Sequence, residues 1–280
     1  MSPISFDRAA EYYDTTRGYA AGSAERIRDA IVAYTKAGSD TRFLELGVGT
    51  GRIALPFIRA DYDYTGVDIS PAMMDRLAAK LSGDTDHATY RFQPHQADII
   101  ALPFEAACFD VIIVVHVLHL VEEWQRAIQE ARRVLRPGGW LLCGSDEMLG
   151  DDAASADRSL PAPLRVRRKW WEMRRERGLD RPSGRSNLHN RDTLLIEYLR
   201  AAGATVDTVM LAKSELPAIS ARAMADRVKA RVFSSDWATP EESHAELSRR
   251  LDDWLIQSID APDTPMPITG KFIAFTARWP

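Results

Sequence analysis

The stretch RFLELGVGTGR, Arg42 to Arg52, decides the fold. Five residues of strand-like apolar character run directly into three glycines spaced two apart, Gly47, Gly49 and Gly51. Glycine opens backbone conformations closed to other residues and lets a ligand come close to the main chain. A strand that ends in such a turn is the first strand-to-helix unit of a doubly wound sheet, where ligands sit beyond the carboxyl ends of the strands.

The chain on either side keeps that rhythm. The short runs YTGVD (Tyr64 to Asp68), TYRFQ (Thr89 to Gln93), FDVIIVV (Phe109 to Val115) and WLLCG (Trp140 to Gly144) read as further strands, alternating with helical patterns. SPAMMDRLAAKL opens with Ser70 as an N-cap and Pro71 at the first helical position, where a missing N–H costs nothing. In EEWQRAIQEARRVLRPGG, Trp124, Ile128, Ala131 and Leu135 form one apolar stripe, and Pro137-Gly138-Gly139 is expected to stop that helix. Pro56, inside GRIALPFIRA, predicts a kink or an end in the first helix. Strand and helix in alternation mean an α/β fold: a doubly wound, mainly parallel sheet with right-handed crossovers.

The second half is less regular. RDTLLIEYLRAAGA reads as a helix ending at Gly203, TVDTVML as a strand and KFIAFTARW as a final strand. Two helical stretches, one carrying Trp170, Trp171 and Met173 and one carrying Phe233 and Trp237, interrupt the sheet pattern and read as helical cap insertions. The expected organisation is N-terminal lid helices over 1–40, a core over 41–150, a cap insertion over 151–190, core again over 191–213, a second cap insertion over 214–268 and the last core strand over 269–280. The cap aromatics suit either an apolar acceptor pocket or plain packing, and packing accounts more simply for their helical spacing.

Composition narrows the function. With 280 residues, 45% of them hydrophobic, and a net charge of -4, the chain builds a sizeable core and has no global attraction for nucleic acid or anionic membranes. The opening MSPISFDRAAEYYD is polar, and no apolar run is long enough to span a bilayer, so a cytoplasmic protein is expected. Cys108 and Cys143 have no metal-ligand spacing and read as small core residues, so no metal is expected. RVRRKWWEMRRERGLDR, Arg165 to Arg181, is a local basic run that reads as a solvated helix face. His87, His95, His189 and His244 read as loop or surface residues.

Chemistry concentrates at the strand ends. A dinucleotide turn follows Gly-x-Gly-x-x-Gly and cradles a pyrophosphate, whereas this one is Gly-x-Gly-x-Gly with Glu45 inside the strand. A carboxylate there repels a pyrophosphate and attracts a ligand with an ammonium group. Asp68, ending the second strand, is placed to accept hydrogen bonds from a pair of ribose hydroxyls, and Asp98, after the third, to meet an exocyclic amine of adenine.

Together FLELGVGTGR, YTGVDISPAMMDRL, QADIIALPFEAACFDVIIVVHVLHLV and EARRVLRPGGWLL, in this order from Phe43 to Leu142, resemble the class I S-adenosylmethionine-dependent methyltransferases that act on small molecules, and FDRAAEYYDTTRGY resembles their N-terminal lid. The resemblance implies a Rossmann-like sheet of seven strands, the last antiparallel, with the cofactor on residues 41–150. It places Gly47, Gly49 and Gly51 against the methionine part, Glu45 near its amino group, Asp68 on the ribose, and Ile69 and Met73 on the adenine. Asp98 and Ile99 would flank the base, Val115 or His116 would line the methionine side, and Tyr13, Arg17 and Tyr19 would close over the cofactor. Methyl transfer to a small-molecule acceptor, leaving S-adenosylhomocysteine, is the implied activity, with His116 or His119 as the base if the acceptor must lose a proton. Two other readings stay open: a nucleotide-cofactor oxidoreductase on a similar sheet, and a non-catalytic S-adenosylmethionine binder. Acceptor identity and oligomeric state are not legible.

Overall fold

The computed structural model describes residues 6–85, 90–148, 160–179 and 188–280. The chain divides into two compact units, one of Met1–Asp146, Leu188–Ser214 and Lys271–Pro280, the other of Glu147–Asn187 and Glu215–Gly270.

The strands β1 (Arg42–Leu46), β2 (Asp63–Asp68), β3 (Phe92–Gln96), β4 (Phe109–Val115) and β5 (Leu135–Met148) join β6 (Thr205–Ile219) and β7 (Met266–Arg278) in a seven-stranded sheet of order β3-β2-β1-β4-β5-β7-β6. β1 pairs in parallel with β2 on one side and β4 on the other, and β2 with β3 and β4 with β5 are also parallel. The chain winds outward from β1 to β3, then restarts at β4. The point where the order reverses therefore lies between β1 and β4.

Strand parity separates the two faces, because successive side chains point to opposite sides. Leu44, Leu46, Ile112, Val114, Leu141 and Cys143 pack with α5 (Trp124–Val134) and α7 (Leu188–Ala201). Phe43, Val111, Ile113 and Leu142 pack with α2 (Ser23–Thr35) and α3 (Ala54–Arg59). Glu45 shares the parity of Phe43 and is only 2% exposed. Between β2 and β3 runs α4 (Pro71–Ser82), where Ser70 is the N-cap, accepting from Met73 N, with Pro71 opening the first turn.

Several local expectations need correction. Pro56 neither kinks nor ends α3: the helix starts only at Ala54, so the proline sits in its first turn, where no N–H partner is lost. The third strand runs over Phe92–Gln96 and not Thr89–Gln93, and it contains Pro94. β3 is the sheet edge, the place that tolerates a residue with no N–H. α5 ends at Val134, ahead of Pro137, because the residue before a proline is driven out of helical geometry. Leu135 to Gly139 already belong to β5, with a register shift opposite Phe109 and Val111. FDRAAEYYDTTRGY folds as a 3₁₀ turn, Asp7–Ala9, and the five-residue α1, Tyr13–Arg17, ahead of α2. Cys143 is buried, as a core cysteine should be, and Cys108 is half-buried.

The second unit has its own core. α6 (Ala162–Glu176), α8 (Ala221–Lys229) and α9 (Glu241–Ser258) contribute Val166, Trp170, Met173, Met224, Val228, Leu247 and Leu251 to one cluster. Trp170 and Met173 are thus core residues, and Trp171 is exposed. Three bases of the run make surface ion pairs, Arg168 and Lys169 with Glu172 and Arg177 with Glu246. Arg174 lies inside, 3.1 Å from Asp236, whose carboxylate also accepts from the Trp170 indole. His244 is buried against the Trp170 ring and is not a surface residue. His87 lies outside the described residues, as does the side chain of His189.

Among the described residues no helix is long and apolar enough to cross a membrane, and no group of three His, Cys, Asp or Glu could hold a metal ion.

Removing one partner of a buried ion pair leaves a buried charge, so Asp236→Ala is expected to destabilise the second unit by about 3–5 kcal/mol. Urea unfolding followed by tryptophan fluorescence measures it, and a change under about 1 kcal/mol would show that water reaches Arg174.

Candidate functional site at the tips of β1, β2, β4 and β5

The turn after β1 is built on backbone geometry that side chains oppose. Gly47, Gly49 and Gly51 all have positive φ, at 77°, 53° and 82°. A Cβ at Gly47 would lie 2.8 Å from Val117 Cγ2, and one at Gly51 would lie 2.4 Å from Leu77 Cδ1. Bare residues are therefore required both by conformation and by space.

The hydrogen bonds of this turn point inward. Gly47 N and Val48 N donate to Val67 O, Gly51 N to Val48 O, and Gly49 N to Asp68 Oδ2 at 2.8 Å. These four N–H groups are thus already engaged, and a pyrophosphate would find them taken. What the turn presents instead is carboxylate. Asp68 is half-buried and its other oxygen accepts from Ser70 N at 2.9 Å. Each of its oxygens keeps a lone-pair direction for a further donor. Burial raises its carboxyl above the ordinary range, with the Ser70 and Gly49 N–H groups opposing.

Glu45 lies next to the turn on the α2/α3 face, where Tyr64 Oη donates to its Oε2 at 2.8 Å. Burial pushes its carboxyl up to about 8, and the Tyr64 hydrogen bond and the Arg52 charge only partly offset this. Met73 is buried, with its Cε 3.3 Å from where a Gly49 Cβ would be, and Ile69 is half-buried beside Asp68. After β3, Asp98 folds back to accept from Ile100 N, with Ile99 buried.

The N-terminal segment is stitched to the same turn. Asp14 accepts from Thr50 Oγ1 at 2.6 Å and pairs with Lys80 at 2.7 Å, and Asp7 accepts from Ser70 Oγ at 2.5 Å. Tyr13, Arg17 and Tyr19, all half-buried, are held near it, with Arg17 O accepting from Arg52.

Beyond Val115, which is buried, His116 adopts a left-handed φ of 54°, rare for a residue with a side chain. His119 sits in a 3₁₀ turn, Leu118–Leu120, and both histidines line a cavity of about 90 Å³. His116 meets two residues that were missed in the sequence, Arg52 and Asp146. Asp146 Oδ2 takes Tyr19 Oη at 2.8 Å, His116 Nε2 at 3.1 Å and Arg52 Nη1 at 3.2 Å. Arg52 also stacks on the Tyr19 ring, 4.6 Å from its centroid. Burial alone would raise the Asp146 carboxyl, but His116, Arg52 and Tyr19 together hold it down at about 2. A signal for Asp146 existed: it is an acid at the carboxyl end of a strand, as Asp68 is, but the strand was ended too early, at Gly144.

The structure therefore gathers the glycines, Glu45, Asp68, Met73, Val115, His116, Tyr19 and the N-terminal tether around the β1/β4 reversal, with Asp98 and Ile99 after the edge strand.

Residues 44–143 match the family model described as a methyltransferase domain. A stretch of 137 residues is 31% identical to the 27-O-demethylrifamycin SV methyltransferase of Amycolatopsis mediterranei, covering 48% of this chain and 48% of that one. Another of 120 residues is 31% identical to the hybrid PKS-NRPS synthetase apdA of Emericella nidulans, covering 41% of this chain and 3% of that one. The chain thus spans about half the length of the first relative and a small fraction of the second. The structure solved as the [4+2]-cyclase SpnF aligns over 100% of this chain and 98% of its own, with a TM-score of 0.53 at 20% identity, which shows a shared fold.

A carboxyl that is neutral in the fold and ionised when unfolded stabilises fully below its unfolded value, and the benefit is lost as pH rises toward its folded value. For Glu45 that window runs from 4.5 to about 8. Stability should fall across it in the wild type, and in Glu45→Gln the curve should be flatter, as measured by thermal unfolding at stepped pH.

Proposed function

We propose that the chain is an S-adenosylmethionine-dependent methyltransferase acting on a small-molecule acceptor. The observation that carries this reading is the glycine turn whose N–H groups are engaged internally while Asp68 and Glu45 stand at its side. Such a surface suits a cationic nucleoside and not a pyrophosphate, so a nicotinamide or flavin oxidoreductase fits it worse. The methyltransferase-domain match over the same strands, and the methylating relative of Amycolatopsis, support the same reading.

The bound cofactor supplies a methyl group on a positively charged sulfur, an already activated donor. The chain's own residues bind and orient. Asp68 accepts from the ribose hydroxyls, Ile69 and Met73 give the adenine an apolar wall, and Asp98 and Ile99 flank its edge. Gly47, Gly49 and Gly51 admit the methionine part, with Glu45 toward its amino group and Val115 and His116 along it. Tyr13, Arg17 and Tyr19 cover the site from the N-terminal segment, whose tethers through Asp7 and Asp14 keep it there. Positioning and exclusion of water provide much of the rate in such a displacement. His116 and His119 are the candidates for a base.

The six-part division expected from the sequence is kept as a proposal, with cofactor binding assigned to 41–150. A cytoplasmic location and the absence of a nucleic-acid partner belong to the same proposal, supported by the net charge of -4 and the ion pairs of Arg168, Lys169 and Arg177 within the basic run. A second reading, a protein that binds the cofactor without transferring its methyl, has one observation in its favour: a chain named for a cyclisation has the same fold from end to end.

Calorimetry with S-adenosylhomocysteine tests the binding step. One site is expected, and Asp68→Ala should weaken it by about 10- to 100-fold, the worth of hydrogen bonds to a charged group. Near-normal affinity in a folded Asp68→Ala would contradict the assignment, and transfer of labelled methyl to a metabolite panel separates the two readings.

A further inference from the structure

The cluster at the tip of β5 has a role that binding of the cofactor does not use. The Asp146 side chain is only 4% exposed, and it is held by Tyr19, Arg52 and His116 through a single oxygen, Oδ2. Among the described residues its Oδ1, although buried, has no hydrogen-bond partner. Arg52 balances the charge, so the carboxylate remains ionised beside the imidazole.

Two contacts to His116 Nε2 imply different tautomers. Asp146 N lies 3.3 Å away and would donate to a bare nitrogen, while Asp146 Oδ2 lies 3.1 Å away and needs a proton between. The charge-assisted bond is shorter and about twice as strong as a neutral one. A bare nitrogen facing an ionised oxygen would also be repelled. Nε2 therefore carries the proton and Nδ1 is bare.

His116 also lines the cavity of about 90 Å³, whose other walls are mainly apolar, among them Leu118, Trp124, Leu195 and Phe275, with Ser145 and Asp192 as polar members. That is room for one apolar ring and not for a whole large ligand.

We infer that the methyl acceptor is a hydroxyl on an apolar group seated in this cavity, that His116 Nδ1 takes the hydroxyl proton, and that Asp146 is the positioning residue which fixes this tautomer. The inference rests on the methyltransferase reading. A neutral amine attacks without first losing a proton, and a carbon acid is too weak for an imidazole, whereas a hydroxyl gains its nucleophilicity as the proton leaves. The acceptor oxygen forms a bond to the methyl carbon with the electron pair of its O–H bond. The proton passes to Nδ1, the donor sulfur keeps the pair of the broken S–C bond, and the positive charge ends on the imidazolium, next to Asp146. Water then takes the proton. The charged and titratable groups around the imidazole and its cavity are Asp146 on β5, Arg52 after the glycine turn, Arg17 and Tyr19 on the N-terminal segment, His119 on the 3₁₀ turn and Asp192 on α7. Burial, first, and then the two arginines lower the imidazole's pKa, while Asp146 raises it, and the balance lies below the ordinary value, so the base is neutral at neutral pH.

The test is nitrogen-15 histidine NMR of the full chain with saturating S-adenosylhomocysteine, using phenol as the acceptor probe. The expected result is a His116 with protonated Nε2 and bare Nδ1 at pH 8, and phenol-induced shifts at His116, His119 and the Trp124 indole. Asp146→Asn should mix the tautomers and move the His116 titration to lower pH. Leu195→Trp, which fills the cavity, should abolish the phenol shifts and leave S-adenosylhomocysteine binding within about twofold. A wild-type His116 protonated on Nδ1 overturns the inference even if Asp146→Asn does not fold, as do phenol shifts that are absent or survive Leu195→Trp. Those outcomes leave methyl transfer standing, whereas the absence of any heat with S-adenosylhomocysteine removes the methyltransferase reading itself.

Discussion

The turn between β1 and α3 exists only because three alternate residues lack side chains. Left-handed backbone at Gly47 and Gly51 would cost a larger residue conformational energy, and any Cβ there would run into Val117 or Leu77. With those clashes absent, α4 closes down on β1 and β2, and Gly49 N reaches the Asp68 carboxylate. A single backbone constraint thereby brings the bare turn, an acid and the β1/β4 reversal to the same place.

Around that turn the charges are arranged in two neighbourhoods with opposite physics. Glu45 is buried with a hydroxyl as its hydrogen-bond partner, so burial dominates and its carboxyl resists ionisation. Asp146 is nearly as buried, yet three donors converge on it and its carboxyl stays strongly acidic. The contrast follows from hydrogen bonding and not from depth. The two acids therefore stand in opposite states, Glu45 resisting ionisation and Asp146 ionised beside Arg52.

The sheet was legible because its signals are local. Alternating apolar residues in FDVIIVV, the Ser70-Pro71 cap and the glycine spacing each act within a few residues, and they placed β1, β2, β4 and α4. Edges were less legible: β3 runs on past Gln93 through Pro94, which its open side permits, and the start of β5 was hidden behind Pro137-Gly138-Gly139. Of the site, Asp68, Glu45 and His116 could be read from their places at strand ends. Arg52 and Asp146 could not be paired in advance, since 94 positions separate them and only the parallel alignment of β4 and β5 beside β1 brings them within 3.2 Å. In α6 the opposite case appears: helical spacing suggested packing, and Trp170 and Met173 do pack while Trp171 is exposed.

The account is tested most directly by a crystal structure of the chain grown with S-adenosylhomocysteine. The account predicts the nucleoside across the Gly47–Gly51 turn, with its ribose hydroxyls on the Asp68 carboxylate and its amino-acid tail toward Glu45. A nucleoside bound elsewhere, or one whose ribose makes no contact with Asp68, would contradict it.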